Sequence, residues 1–108
     1  MARQYKYRAL VRLDPDAGSD RPLPETGGRV VVRAEHHDTH RSKMFSALVS
    51  GVHEPVRAGG HSIQLTVTVL GEDVGDYLEV GDTFAIWRGH DIGRGLISRR
   101  LHFGAEAP

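Results

Sequence analysis

The chain has 108 residues, enough for one hydrophobic core and hence one domain, 1–108, but not for two. Its 14 basic and 14 acidic residues cancel, so no global field draws it toward nucleic acid, membrane or acidic ligands, and any such partner requires a local patch. With no cysteine it can build neither a disulfide framework nor a zinc–thiolate site; no stretch is long enough to span a bilayer, and in the absence of an apolar leader a cytoplasmic location is expected.

Residues 5–13 alternate, with Tyr5, Tyr7, Ala9, Val11 and Leu13 on one side and Lys6, Arg8 and Arg12 on the other around Leu10. That is the pattern of a half-buried strand with a basic outer face. Residues 14–28 hold Pro15, Pro22, Pro24, Gly18, Gly27 and Gly28, a composition that sustains neither helix nor central strand and predicts a long connection. Residues 29–35 alternate again, Val30, Val32 and Ala34 opposing Arg29, Val31 and Arg33. Residues 36–43 are polar and without a period, the apolar run 44–49 predicts a third strand, and 51–60 reads as a turn region. In 62–70 the alternation is clearest, with Ile63, Leu65, Val67 and Val69 inward. Residues 71–81 then lead to a hairpin, strand 83–87, a turn at Gly89-His90-Asp91, and a return strand 92–101. Gly93 and Gly95, two apart, point to one face, where the missing side chains let another backbone or a large ring approach closely. Gly95 is therefore expected where the sheet bends and another backbone passes. No segment shows a helical period, and 104–108 is a tail.

Six strands in one small all-β domain must hide their edges, and closure into a six-stranded antiparallel β-barrel of Greek-key type, with its core at about residues 5–103, is the expected solution. The last hairpin carries a family likeness. Phe84-Ala85-Ile86, Gly89 and Ile92-Gly93-Arg94-Gly95-Leu96-Ile97 resemble the closing hairpin of the C-terminal barrel, the third domain, of elongation factor Tu and related translation factors. There a Phe-Ala-Ile strand and a glycine turn lead into Val-Gly-x-Gly-Val-Val. The order of elements is similar across residues 5–101. Gly18-Ser19-Asp20-Arg21-Pro22-Leu23 stands where the family has Gly-Arg-His-Thr-Pro-Phe and lacks its Arg-His pair; Val32-Arg33-Ala34-Glu35 lacks the family's threonines, and Val56-Arg57-Ala58-Gly59-Gly60 replaces Val-Met-Pro-Gly-Asp.

The resemblance implies a barrel that performs no chemistry and contacts a protein or an RNA, the family's barrel packing on a GTPase domain and touching aminoacyl-tRNA. No Gly-x-x-x-x-Gly-Lys-Ser/Thr loop is present, so binding of GTP is not expected, and no cofactor is implied. Three groups of residues compete as the site. If residues 35–40 are extended, His36, Asp38 and His40 point to one side as a metal-ligand set, the basis of an alternative reading as a small metal protein or enzyme. The loop 14–28 and the segment 36–43 supply Arg21, Arg33, His36, His37 and Arg41, side chains that pair with phosphate or carboxylate. These two segments flank one strand at opposite ends, so they form a single site if the second folds back along the barrel and two patches if it does not. The outer face of Lys6, Arg8 and Arg12 comes next, extended by Arg29, Arg33, Arg99 and Arg100 if neighbouring strands merge them into a stripe.

Overall fold

Period-two alternation is strong enough in this sequence to fix both the strands and their faces. The computed structural model of the chain describes residues 4–15, 28–50, 56 and 59–101. The described strands are β1 (Gln4–Leu13), β2 (Gly28–Glu35), β3 (Ser42–Ser50), β4 (Ile63–Leu70), β5 (Thr83–Trp87) and β6 (Asp91–Leu101), with one 3-10 turn at Val74–Asp76. β3 begins two residues before its apolar run because the polar Ser42 and Lys43 pair with Glu35 and Ala34 of β2. Ladder hydrogen bonds need only backbone, so polar residues at a hairpin's end extend a strand that hydrophobicity alone would shorten.

The strands form a closed barrel in the order β1-β4-β3-β2-β5-β6, every pairing antiparallel. β2, β3 and β4 follow one another as neighbours, while β5 lies beside β2 and β1 beside β4. That is the Greek-key arrangement, three consecutive strands flanked by one that returns from afar. Of the inward residues predicted from alternation, Tyr5 is partly buried against the core and the others are buried: Tyr7, Ala9, Val11 and Leu13 on β1, Val30, Val32 and Ala34 on β2, and Ile63, Leu65, Val67 and Val69 on β4. Val74 and Leu78, from the connection between β4 and β5, join the same core at one end of the barrel. There the Tyr7 hydroxyl donates to the Leu78 carbonyl at 3.0 Å. Burial makes the charged phenolate costly and pushes the Tyr7 pKa up to about 12.

Closure depends on the last strand. Gly95 faces Phe84 across β5–β6, and a methyl group at Gly95 would lie 2.1 Å from the tip of the Phe84 ring. At Gly93 the same methyl would lie 2.5 Å from the Arg12 carbonyl oxygen. The expectation that a backbone passes Gly95 is therefore corrected: the ring covers Gly95, and the neighbouring backbone approaches at Gly93.

Two bulges shape the strand further. Ile92 is an extra residue between the pairs Ile86–Gly93 and Trp87–Asp91, and its carbonyl accepts the Asp14 amide at 2.9 Å. Ser98 is an extra residue between Ala9–Ile97 and Arg8–Arg99, and its hydroxyl donates to the Arg8 carbonyl at 3.0 Å. Each bulge inverts the alternation beyond it. Among the described residues no helix is long and apolar enough to cross a membrane.

The packing at Gly95 is testable. Gly95→Ala should cost about 1–3 kcal/mol by overpacking and cost measurably less in a Phe84→Leu background, where the ring is gone. Chemical denaturation of the four proteins reads both values; equal cost in both backgrounds would show that Phe84 does not fill the glycine's space.

Candidate functional site

Strand direction decides which segments can cooperate. β2 starts beside Val49 near the end of β3 and stops at Glu35 beside Ser42, so residues 36–41 sit at the barrel end that also carries the connection 71–82. The stretch between β1 and β2 leaves from Leu13 and Asp14 and re-enters at Gly28, at the opposite end. Arg21 and the rest of 16–27 lie outside the described residues, as do Arg57 and 102–108. Residues 36–41 do not fold back along the barrel. They are held at their own end by the His37 amide donating to the Asp76 carbonyl at 3.0 Å.

Within this rim the predicted residues are occupied by the fold. The His36 Nδ1 accepts the amides of Asp38 (3.1 Å) and Thr39 (3.3 Å), and the His40 amide donates to the His36 carbonyl at 2.9 Å. Residues 36–40 are thus a tight turn rather than an extended run, with His40 in the left-handed region at φ 59°. The alternation that would point His36, Asp38 and His40 to one side does not exist. The backbone could make this turn because the His36 ring supplies an acceptor for its inner amides, much as an Asx side chain does. No group of three histidine or acidic side chains stands together as a metal set among the described residues.

His36 also packs edge-on against Tyr77, ring centroids 5.1 Å apart, and Tyr77 against Phe45 at 5.2 Å. Lys43 lies over Phe45 and Tyr77 while its Nζ donates to both carboxylate oxygens of Asp73, at 3.0 and 2.8 Å. His37 Nε2 lies 2.6 Å from the Asp82 Oδ2, the oxygen that also accepts the Glu79 amide. Arg33 spans β5, its Nε donating to Asp91 Oδ1 at 3.1 Å, its Nη2 to Oδ2, and its Nη1 to the Ser42 hydroxyl at 3.1 Å. Beneath it Ala85, an outward position, is 93% covered in consequence, being 7% exposed. Of the arginines and histidines predicted for this rim, the described Arg41 presents an exposed side chain without a described ion-pair partner.

A cleft of about 320 Å³ runs along this rim, lined by residues including Arg33, Glu35, His37, Tyr77, Asp82 and Arg94. Its His–Asp pair could serve as a base, yet no described serine or threonine hydroxyl is hydrogen-bonded to His37, so the nucleophile–base contact of a hydrolase is not formed. The pair acts as a fastening between the β2–β3 turn and the start of β5.

The neighbouring face of β1 and β6 carries a different surface, sharing Arg94 with the cleft. Bulged pairing of β1 with β6 sets Arg12 opposite Arg94, Leu10 opposite Leu96, and Arg8 opposite Arg99, all on the outer face. Leu10 and Leu96 are each 40% exposed. No ion pair among the described residues involves any of these four arginines. Simple alternation along β6 would turn Arg99 inward with Ile97; the extra residue Ser98 turns it outward to meet Arg8. Arg100 points toward the barrel end, its guanidinium 5.4 Å from the Tyr5 ring centre.

Of the stripe expected on β1, Arg8 and Arg12 therefore meet arginines of β6 and not of β2. Arg29 and Arg33 stand three places away around the ring, and Arg33 is tied to Asp91. Sequence reasoning missed Arg94, Leu10 and Leu96 as members. Their signal was the matching spacing of Leu10 and Arg12 with Arg94 and Leu96, readable once β6 is placed beside β1. No protein-family model and no curated protein matches the chain.

The Asp82 carboxylate raises the pKa of His37 above its usual value through their hydrogen bond. The fastening is thus complete below about pH 6.5, the ordinary imidazole value, and is lost as pH rises through the higher folded one. A ring-proton NMR titration should show His37 titrating above the ordinary value, and Asp82→Asn should bring it back down. An unshifted His37 in the wild type would contradict the pairing.

Proposed function

We propose that this chain is a non-catalytic binding module that takes an anionic macromolecule, and that the outer face of β1 and β6 is its binding surface. The observation that carries the reading is the ladder of like charges. Directly opposed arginines, as at Arg12–Arg94 and Arg8–Arg99, destabilise an antiparallel sheet; no ion pair among the described residues involves them, and Asp91 is the one described carboxylate that attracts any of the four, Arg94, from a distance. Among the described residues Glu72, Asp73, Asp76, Glu79 and Asp82 are gathered in the connection 71–82 at one barrel end. Charge segregated against stability is what a binding surface requires and a structural face does not. The resemblance of the Phe84–Gly95 hairpin to the closing hairpin of the elongation factor Tu third domain agrees with a barrel that binds without chemistry, with a protein or an RNA as its partner.

A binding face and a stabilising face respond oppositely to mutation. Arg12→Thr and Arg99→Thr should leave stability unchanged or raise it by up to about 1 kcal/mol, by removing repulsion and adding a β-branched residue. The same double variant should lose the partner that the wild type recovers from cell extract, whereas Arg41→Ala should keep it. Recovery of the same partner by the β1–β6 variant, or its loss with Arg41→Ala alone, would remove this surface as the site.

A further inference from the structure

We infer that the partner is a protein, which lays an extended acidic segment along β1 and seats an apolar side chain on Leu10 and Leu96 between two carboxylates. The inference rests on the proposed binding role of this face and adds the chemistry of what it binds. The three outward rows, Arg12–Arg94, Leu10–Leu96 and Arg8–Arg99, follow one another every two residues of β1. Successive rows are therefore about 6.6 Å apart and the two arginine pairs about 13 Å apart, at about 3.3 Å per residue. An extended partner chain presents its same-face residues at that repeat, so the sequence pattern acid-x-apolar-x-acid places a carboxylate on each arginine pair. A guanidinium fork receives a carboxylate through two parallel hydrogen bonds.

The middle row separates this partner from a nucleic acid. A phosphate backbone gains nothing from two leucines that are each 40% exposed, and it would desolvate around them without a matching apolar surface. Single strands are held by bases stacked on aromatic rings, and among the described residues this face carries none: Tyr7 is buried in the core and Tyr5 packs against it. An apolar centre rimmed by arginine is instead the composition of a protein–protein contact. Charge complementarity sets the sign of the partner, and the leucine pair its class.

The test uses the full chain, isotope-labelled, and follows amide shifts during titration at near-physiological salt. One probe is a capped peptide with Glu, Leu and Glu at alternate positions separated by serine; the second replaces its Leu by Ser; the third is an RNA duplex and the fourth an oligoadenylate strand. The Leu peptide should shift amides of β1 and β6 and bind about tenfold more tightly than the Ser peptide. A protein carrying Leu10→Ser and Leu96→Ser, with an unchanged spectrum elsewhere, should lose that preference. Tighter binding of either RNA, with no effect of the leucine substitutions, would overturn the protein partner while leaving the anionic face in place. Equal binding of both peptides would overturn the seating of an apolar side chain on Leu10 and Leu96. If no probe perturbs β1 or β6, both the inference and the binding role of the face fall. Sedimentation that reveals a dimer dissolved by Val80→Lys, at the 60% exposed valine beside Glu79 and Asp82, would make the occupant the acidic end of a second copy and overturn the foreign partner.

Discussion

Everything that gives this barrel its surface depends on the seam where β6 meets both β5 and β1. Gly95 admits the Phe84 ring from one side, and Gly93 admits the Arg12 carbonyl from the other. A side chain at either position would hold β6 away from a neighbour. With the strand drawn in, the ring of six closes and no sheet edge is left to pair with other chains. The same approach brings the outer residues of β1 and β6 into register, so the closure of the core and the assembly of the arginine rows are one event.

The bulges at Ile92 and Ser98 complete that coupling. The first buries an additional isoleucine and leaves Asp91 outward, where it engages Arg33. The second turns Arg99 outward beside Arg8. One strand thus neutralises charge toward β2 and accumulates it toward β1. The acidic connection 71–82 is meanwhile fastened to β3 by Asp73 with Lys43 and to the β2–β3 turn by Asp82 with His37. Its charge is spent partly on holding the barrel end together.

The strands and their buried faces were legible in the sequence because alternation is a local signal: Ile63, Leu65, Val67 and Val69 announce the core without knowledge of any neighbour. The glycine pair announced a close approach for the same reason. Ring order and bulges were not legible, since an extra residue leaves no mark on composition and Ser98 looks like any outward serine. For that reason Arg29 and Arg33 read as partners of the β1 stripe alongside Arg99, which alone of the three meets it. The histidine segment misled by a different route. His36, Asp38 and His40 imply a metal set only if extended, and the His36 Nδ1, by accepting two amides, stabilises the turn that denies the premise.

Closure of β1 on β6 is the claim on which the arginine ladder stands, and cross-strand nuclear Overhauser effects measure it directly. Backbone contacts should join Val11 to Gly95 and Arg12 to Arg94, with slow amide exchange along the seam and the register shift at Ser98 visible as contacts from Arg8 to Arg99. Absent contacts together with fast exchange in β6, or a register that pairs Arg8 with Ser98, would show an open or differently aligned sheet and dissolve the surface described above.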